Sequence, residues 1–332
     1  MDYALIWYAL IALAVLIYVI LDGFDLGIGL LFLRANSEAE RDLMMNSIAP
    51  VWDGNETWLV LGGGGLFAVF PLAYSIIMPA FYAPVIVMLL GLILRGVSFE
   101  YRFRTKRGRF LWDSAFFLGS LLATVMQGIM LGALIQGLTV TDRAYAGEWF
   151  DWLSPFSLFT GFALISAYIL LGACWLIIKL PNDLISDYYT IAKRWGIVLV
   201  IAIIVTSLWL PLANDTVFAR WFHMPNALFF FVVPLAAIGF IWLLFSSLLQ
   251  HRPIKAYLCA IGLFVVSAAG FGVSTFPYLV PFAVTYKEAA GPDESLTFLL
   301  VGTVILLPLI LLYTGYSYWV FRGKLKHGDG YH

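Results

Sequence analysis

Apolar residues in this chain come in long unbroken runs, and polar residues collect in short segments between them. Reading along the sequence gives nine such runs, at 5–33, 55–71, 75–98, 113–140, 155–179, 194–213, 224–248, 256–280 and 297–321. A helix needs about 20 apolar residues to cross the hydrocarbon core of a bilayer. The pattern therefore predicts an all-α integral membrane protein of about nine transmembrane helices, with 1–332 as a single transmembrane domain. The second run is the shortest and leans on Gly62-Gly63-Gly64-Gly65. No segment between runs is long enough to fold as a domain of its own.

Composition agrees. The chain is 62% hydrophobic and only 12% charged, where a soluble domain carries about a quarter charged residues. Orientation follows from the basic residues, because Lys and Arg stay on the cytoplasmic side. With the N-terminus outside, 15 of the 19 basic residues fall in the inner segments. Arg143, Arg220 and Lys287 lie in outer segments, and Arg95 lies within a run. The expectation is a periplasmic N-terminus and a cytoplasmic C-terminus. The first run has no basic stretch before it and is too long for a signal peptide. The net charge of −1 says nothing about a partner, because the charge is segregated by side, and no nucleic-acid partner is expected. Cys174 and Cys259 fall inside runs and form neither a disulfide framework nor a metal-binding spacing.

Charge inside the runs carries the chemistry. Asp22 and Asp25 sit three residues apart in the first run, so they share one helix face. An ionised carboxylate at membrane depth is costly unless it finds a partner, water or a proton. The pair either faces a proton route, a buried cofactor or a partner's basic group, or is a structural polar patch satisfied by neighbouring helices. Gly23, Gly27 and Gly29 beside it allow close helix approach.

The stretch Asn46–Trp58 opens the second run. Asp53 suits a helix N-cap with Glu56 as the reciprocal half of a capping box. Asp53, Asn55, Glu56 and Thr57, flanked by Trp52 and Trp58, also suit a polar entry into the membrane. Near the inner end of the third run, Arg102 and Arg104 read as surface anchors, with Arg95 about 10 Å deeper by helix rise. Arg95 either snorkels to the surface or pairs with an intramembrane carboxylate or an anionic cofactor group. Glu100 stands at the boundary, where a proton-collecting carboxylate belongs. His223, His251, His327 and His332 all lie outside the middle of the runs. A bis-histidine haem site or a metal cluster is therefore not expected from this chain alone.

DGFDLGIG at 22–29, NSIAPVWDGNETWLV at 46–60, FPLAY at 70–74 and LRGVSFEYRFR at 94–104 together resemble subunit II of the cytochrome bd-type quinol oxidases. The closing HGDGYH at 327–332 resembles the cyanide-insensitive branch of that family. The resemblance implies a multi-pass subunit of the bacterial inner membrane, in an aerobic complex that oxidises ubiquinol or menaquinol and reduces O₂ to water. Protons for water come from the cytoplasm, so proton motive force arises without pumping. Haem b and haem d are implied to belong to subunit I, the pseudosymmetric partner. A small single-span accessory subunit, membrane lipids and a structural quinone are further implied companions. No residue of this chain is implied to be catalytic. The proton route is implied to involve Asp53 and Glu100, with Asp25, Asp22 and Glu56 beside it. Arg95 and Trp58 are the residues expected to meet a haem propionate or haem edge of the partner. The competing reading is a secondary transporter with intramembrane carboxylates as ion sites. Against it, no repeat of DGFD or WDGN occurs later in the chain.

Overall fold

The structure, a computed structural model, describes residues 1–327. Of the closing HGDGYH stretch only His327 falls within it, and 328–332, His332 included, lie outside the described residues. The chain is helical almost throughout: α1 (Tyr3–Leu31), a 3₁₀ turn (Phe32–Arg34), α2 (Glu38–Asn46), α3 (Trp52–Val69), α4 (Pro71–Ala80), α5 (Tyr82–Arg104) and α6 (Arg109–Gln136), then α7 (Pro155–Lys179), α8 (Ile185–Ala213), α9 (Asp215–Phe222) and α10 (Asn226–Phe230), and finally α11 (Val232–Leu249), α12 (Pro253–Thr275), α13 (Tyr286–Ala289) and α14 (Asp293–Val320). Two small antiparallel hairpins interrupt it, β1 (Val140–Thr141) with β2 (Ala144–Tyr145) and β3 (Tyr278–Val280) with β4 (Val284–Thr285).

Eight helices among the described residues are long and apolar enough to cross a membrane. The expected ninth, at 55–71, is α3, which falls short because polar residues fill its first turns and glycines its middle. Its path is nonetheless that of a crossing helix. It runs antiparallel to α1, with Asn55 bonded at Leu21 and Asp25, Gly62 beside Val15 and Gly65 beside Ile11. The third run is also redrawn. Residues 71–80 form α4, and the crossing helix begins only at Tyr82. Pro71 starts α4 after a non-helical Phe70 (φ −123°, ψ 63°), and proline suits a first helical turn because its missing N–H is unpaired there anyway.

The interior is built on α7 and the second half of α1. Every residue from Ser166 to Ile177 is buried, and so is every residue from Asp22 to Phe32. These segments meet at Gly27 and Gly172. A Cβ on Gly27 would lie 1.9 Å from the Tyr168 carbonyl oxygen, and one on Gly172 would lie 2.6 Å from the Gly27 carbonyl carbon. Only glycine permits backbones this close, which is how helices associate where no hydrophobic effect separates protein from lipid. Phe24 stacks on Trp175 at 4.3 Å in the same contact. By contrast α11 and α14 bury little of their length.

The helix ends fall into two sets. At one end lie the segments after α1, α5, α7, α11 and α14. There Lys179 donates to the Phe321 carbonyl, Lys324 to the Leu180 carbonyl at 2.6 Å, and Leu325 N–H to the Lys179 carbonyl at 2.8 Å. This end holds most of the basic residues. At the opposite end Asp2 caps α1 by accepting from Leu5 N–H at 3.0 Å, Tyr286 donates to Asp2 at 3.2 Å, and Trp7 donates to the Leu296 carbonyl at 3.0 Å.

Candidate functional site

Three helices bring their polar residues together inside the bundle. α1 supplies Asp22 and Asp25, both fully buried. α5 supplies Arg95, 1% exposed, and α3 supplies Asn55 and Glu56. Arg95 donates from Nη1 and Nη2 to Asp22 Oδ1 at 2.7 and 2.5 Å. Its Nη2 also lies 3.1 Å from Glu56 Oε1, and its guanidinium sits 5.7 Å from the centre of the Trp52 ring. Arg95 therefore does not snorkel: both terminal nitrogens are held by acids of its own chain.

Asp25 is served differently. Asn55 Nδ2 donates to its Oδ2 at 2.8 Å and to the Leu21 carbonyl at 3.3 Å, while Tyr318 on α14 donates to Asn55 Oδ1 at 2.9 Å. On the other side of Asp22 stands the Tyr18 hydroxyl. Tyr18 accepts from Gln127 at 2.7 Å, and Gln127 accepts from the Tyr168 hydroxyl at 2.7 Å. Asp22 Oδ2, Asp25 Oδ1 and Trp58 Nε1 are buried without a hydrogen-bond partner among the described residues. Two carboxyl groups, Asp22 and Glu56, thus meet one guanidinium, and Asp25 stands one helical turn from Asp22 on Asn55.

The remaining expected residues stand apart. Asp53 is exposed and near enough to Glu56 to add to its negative surroundings. The capping box does not form. The helix starts after Val51 without any side-chain cap, so Asp53 is already helical, and Glu56 points to Arg95 instead. A buried guanidinium outcompetes a backbone N–H for that carboxylate because the bond is charge-assisted on both sides. Glu100 is about half exposed and lies 3.7 Å from Arg104, itself 80% exposed. Trp58 is 2% exposed and packs with Ala14 and Tyr18.

Arg102 is not the surface anchor that the sequence suggested. It is fully buried, with Nε bonded to Asp113 at 2.5 Å, Nη2 to Glu38 at 2.9 Å, and Nη1 to Asp42. Arg41 joins the group at 3.0 Å from Glu38 and 3.7 Å from Asp113. This ion network ties α2, α5 and α6 together at the basic end. Tyr18, Gln127, Tyr168 and Tyr318 were also not singled out by sequence. Gln127, an amide in the middle of an apolar run, was the available signal.

A multi-pass helical membrane protein with an acid–arginine cluster at its centre is the class these features define. A sequence model of the family described as cytochrome bd terminal oxidase subunit II matches residues 3–321, and the chain belongs to that family. It is 28% identical to a probable cytochrome oxidase subunit 2 of Haemophilus influenzae, over 96% of this chain and 94% of that one. It is 28% identical to the cytochrome bd-I ubiquinol oxidase subunit 2 of Escherichia coli, over 98% and 95%. It is 26% identical to the cytochrome bd ubiquinol oxidase subunit 2 of Bacillus subtilis, over 98% and 97%. The fold is that of a chain in the bd oxidase structure from Geobacillus thermodenitrificans, at a TM-score of 0.79 and 18% identity, over 97% of this chain and 99% of that one. The chain is therefore a multi-pass bacterial inner-membrane subunit of a terminal oxidase, an oxidoreductase whose complex uses haem and quinol alongside a second subunit. The transporter reading has no such support.

Proposed function

We propose that this chain is the haem-free half of a bd-type complex, and that it supplies a proton-holding and proton-conducting core beside a haem-bearing subunit I. Ubiquinol or menaquinol is oxidised and O₂ reduced in the partner, where haem b and haem d supply the electron chemistry. The residues present here do not fit a haem: His223, His251 and His327 all lie outside the crossing helices, and Arg95 is already engaged by Asp22 and Glu56. Arg95 then serves as the fixed counter-charge of the buried acids rather than as a propionate ligand. The basic end faces the cytoplasm by the charge bias, which puts the N-terminus in the periplasm.

In this reading Asp53 and Glu100, exposed at the starting end of α3 and the finishing end of α5, collect protons at the cytoplasmic boundary. Glu56 connects them to the interior, and Asp22 and Asp25 hold protons beside Arg95. The observation that carries it is the gathering of Asp22, Asp25 and Glu56 around one arginine. Asp25→Asn and Glu56→Gln in the assembled complex test it. Each is expected to cut O₂ consumption on the order of a hundredfold, the scale of one lost proton-transfer group, with haem absorption unchanged. Undiminished O₂ consumption in both variants overturns the reading.

A further inference from the structure

At the end of the bundle away from the basic loops lies a groove of about 570 Å³. Tyr8 of α1, Phe230 of α10, and Gly272, Val273 and Phe276 at the end of α12 give it apolar walls, and Arg220 of α9 stands among them. Arg220 is one of three basic residues in the segments of this end. Its Nη1 donates to the Val273 carbonyl at 3.1 Å and to the Phe276 carbonyl, which fixes the guanidinium on the groove. Neutral carbonyls orient a cation but do not neutralise it, and Arg220 makes no ion pair among the described residues. The helix bearing it is pinned in place, because Trp221 donates to Ser274 Oγ at 2.9 Å and Asn214 caps its first turn. Beside Val273, a Cβ at Gly272 would meet no atom within 4 Å, so the space there is open.

A fixed, uncompensated cation beside an apolar channel at the mouth of a membrane protein is complementary to an amphiphile with an anionic head and a hydrocarbon tail. We propose that this groove binds an anionic phospholipid, its phosphate on Arg220 and an acyl chain along Tyr8, Gly272 and Phe276. The guanidinium matches the planar, bidentate geometry of phosphate oxygens, and basic pockets between crossing helices are a recurrent form of lipid recognition. A neutral isoprenoid ring fills the apolar walls equally well but leaves the charge of Arg220 unmet.

The test uses the intact complex, delipidated in mild detergent and titrated with phosphatidylglycerol or phosphatidylcholine, with bound lipid read by native mass spectrometry. Wild type is expected to retain phosphatidylglycerol in preference to phosphatidylcholine. Arg220→Gln is expected to weaken that retention by about tenfold or more, the scale of a lost hydrogen-bonded charge pair, and Arg220→Lys to restore part of it. Gly272→Leu, which fills open space, is expected to weaken binding of both lipids with the haem spectrum intact. The proposal is overturned by equal retention in wild type and Arg220→Gln, by absence of a headgroup preference, or by release of a quinone instead of a phospholipid. It is also overturned if Arg220→Gln detaches subunit I, which would mean that protein covers the groove.

Discussion

Asp22 on α1 accepts both terminal nitrogens of Arg95 on α5 through a single carboxylate oxygen, across 73 positions of sequence. Taking two charges out of water is costly, and the pair repays that cost only while both members are present. Arg95→Gln leaves Asp22 without its counter-charge, a penalty on the order of 3–5 kcal/mol for a buried pair. Asp22→Asn costs less, because Glu56 still faces Arg95. The double variant Asp22→Asn/Arg95→Gln is expected to be more stable than the sum of the singles predicts. Thermal unfolding of the purified complex gives all three values, and strict additivity would refute the coupling.

Asp53 makes no cap bond, so Asp53→Asn is expected to leave the melting temperature of the complex unchanged. If Asp53 collects protons, O₂ consumption falls in the same variant. Equal turnover of variant and wild type between pH 6 and 8 would remove Asp53 from the route.

Glu100 is exposed and its arginine neighbour is also exposed, so it is expected to contribute little to stability, and under the proposed route it supplies protons. Glu100→Gln is expected to slow O₂ reduction several-fold, more at high pH where free protons are scarce, and Glu100→Asp to be tolerated. A pH-independent loss would instead indicate a structural role.

Arg102 and Arg104 are two residues apart and are expected to behave as opposites. Arg102→Gln strands the buried Asp113 and unties α2 from α5 and α6, at about 3–5 kcal/mol. Arg104→Gln, at 80% exposure, is expected to leave stability unchanged, as isolated surface pairs contribute little. The two melting temperatures decide the matter.

Asp2 lies outside the crossing helices, and the Leu5 N–H bond at its carboxylate holds it below its ordinary value of 3.8. A lowered folded pKa means that its cap stabilises the start of α1 above pH 3.8 and is lost as pH falls through the lower, folded value. The protection factor of the Leu5 amide, the exchange rate of an unstructured amide relative to its own at the same pH, is expected to hold at neutral pH and to fall below about pH 4. Asp2→Ala is expected to show the lower factor at every pH.

The apolar runs revealed the crossing helices because period and length report directly on a lipid environment, and helix spacing was enough to put Asp22 and Asp25 on one face. The same spacing could not say which acid would meet Arg95, since that depends on how α1, α3 and α5 pack. It misread Arg102 for a related reason: depth along α5 placed it near the surface, but α2 folds back over that end and buries it. The capping box at Asp53 and Glu56 was a sound local pattern overridden by a tertiary partner. The break at Phe70 was hidden because residues on both sides of it are apolar.

α14 touches the bundle lightly along its length, yet Tyr318 near its end holds Asn55, and Asn55 holds Asp25. Both termini of α14 are fastened, at Trp7 by the Leu296 carbonyl and at Lys179 by the Phe321 carbonyl. It resembles a string fixed at its ends with one finger on the interior. Tyr318 also sets its ring against the buried Phe24 and Trp175, so the end of this helix is seated in the interior beside the acids. Through the amide of Asn55, a helix that buries little of its length is tied to a fully buried acid.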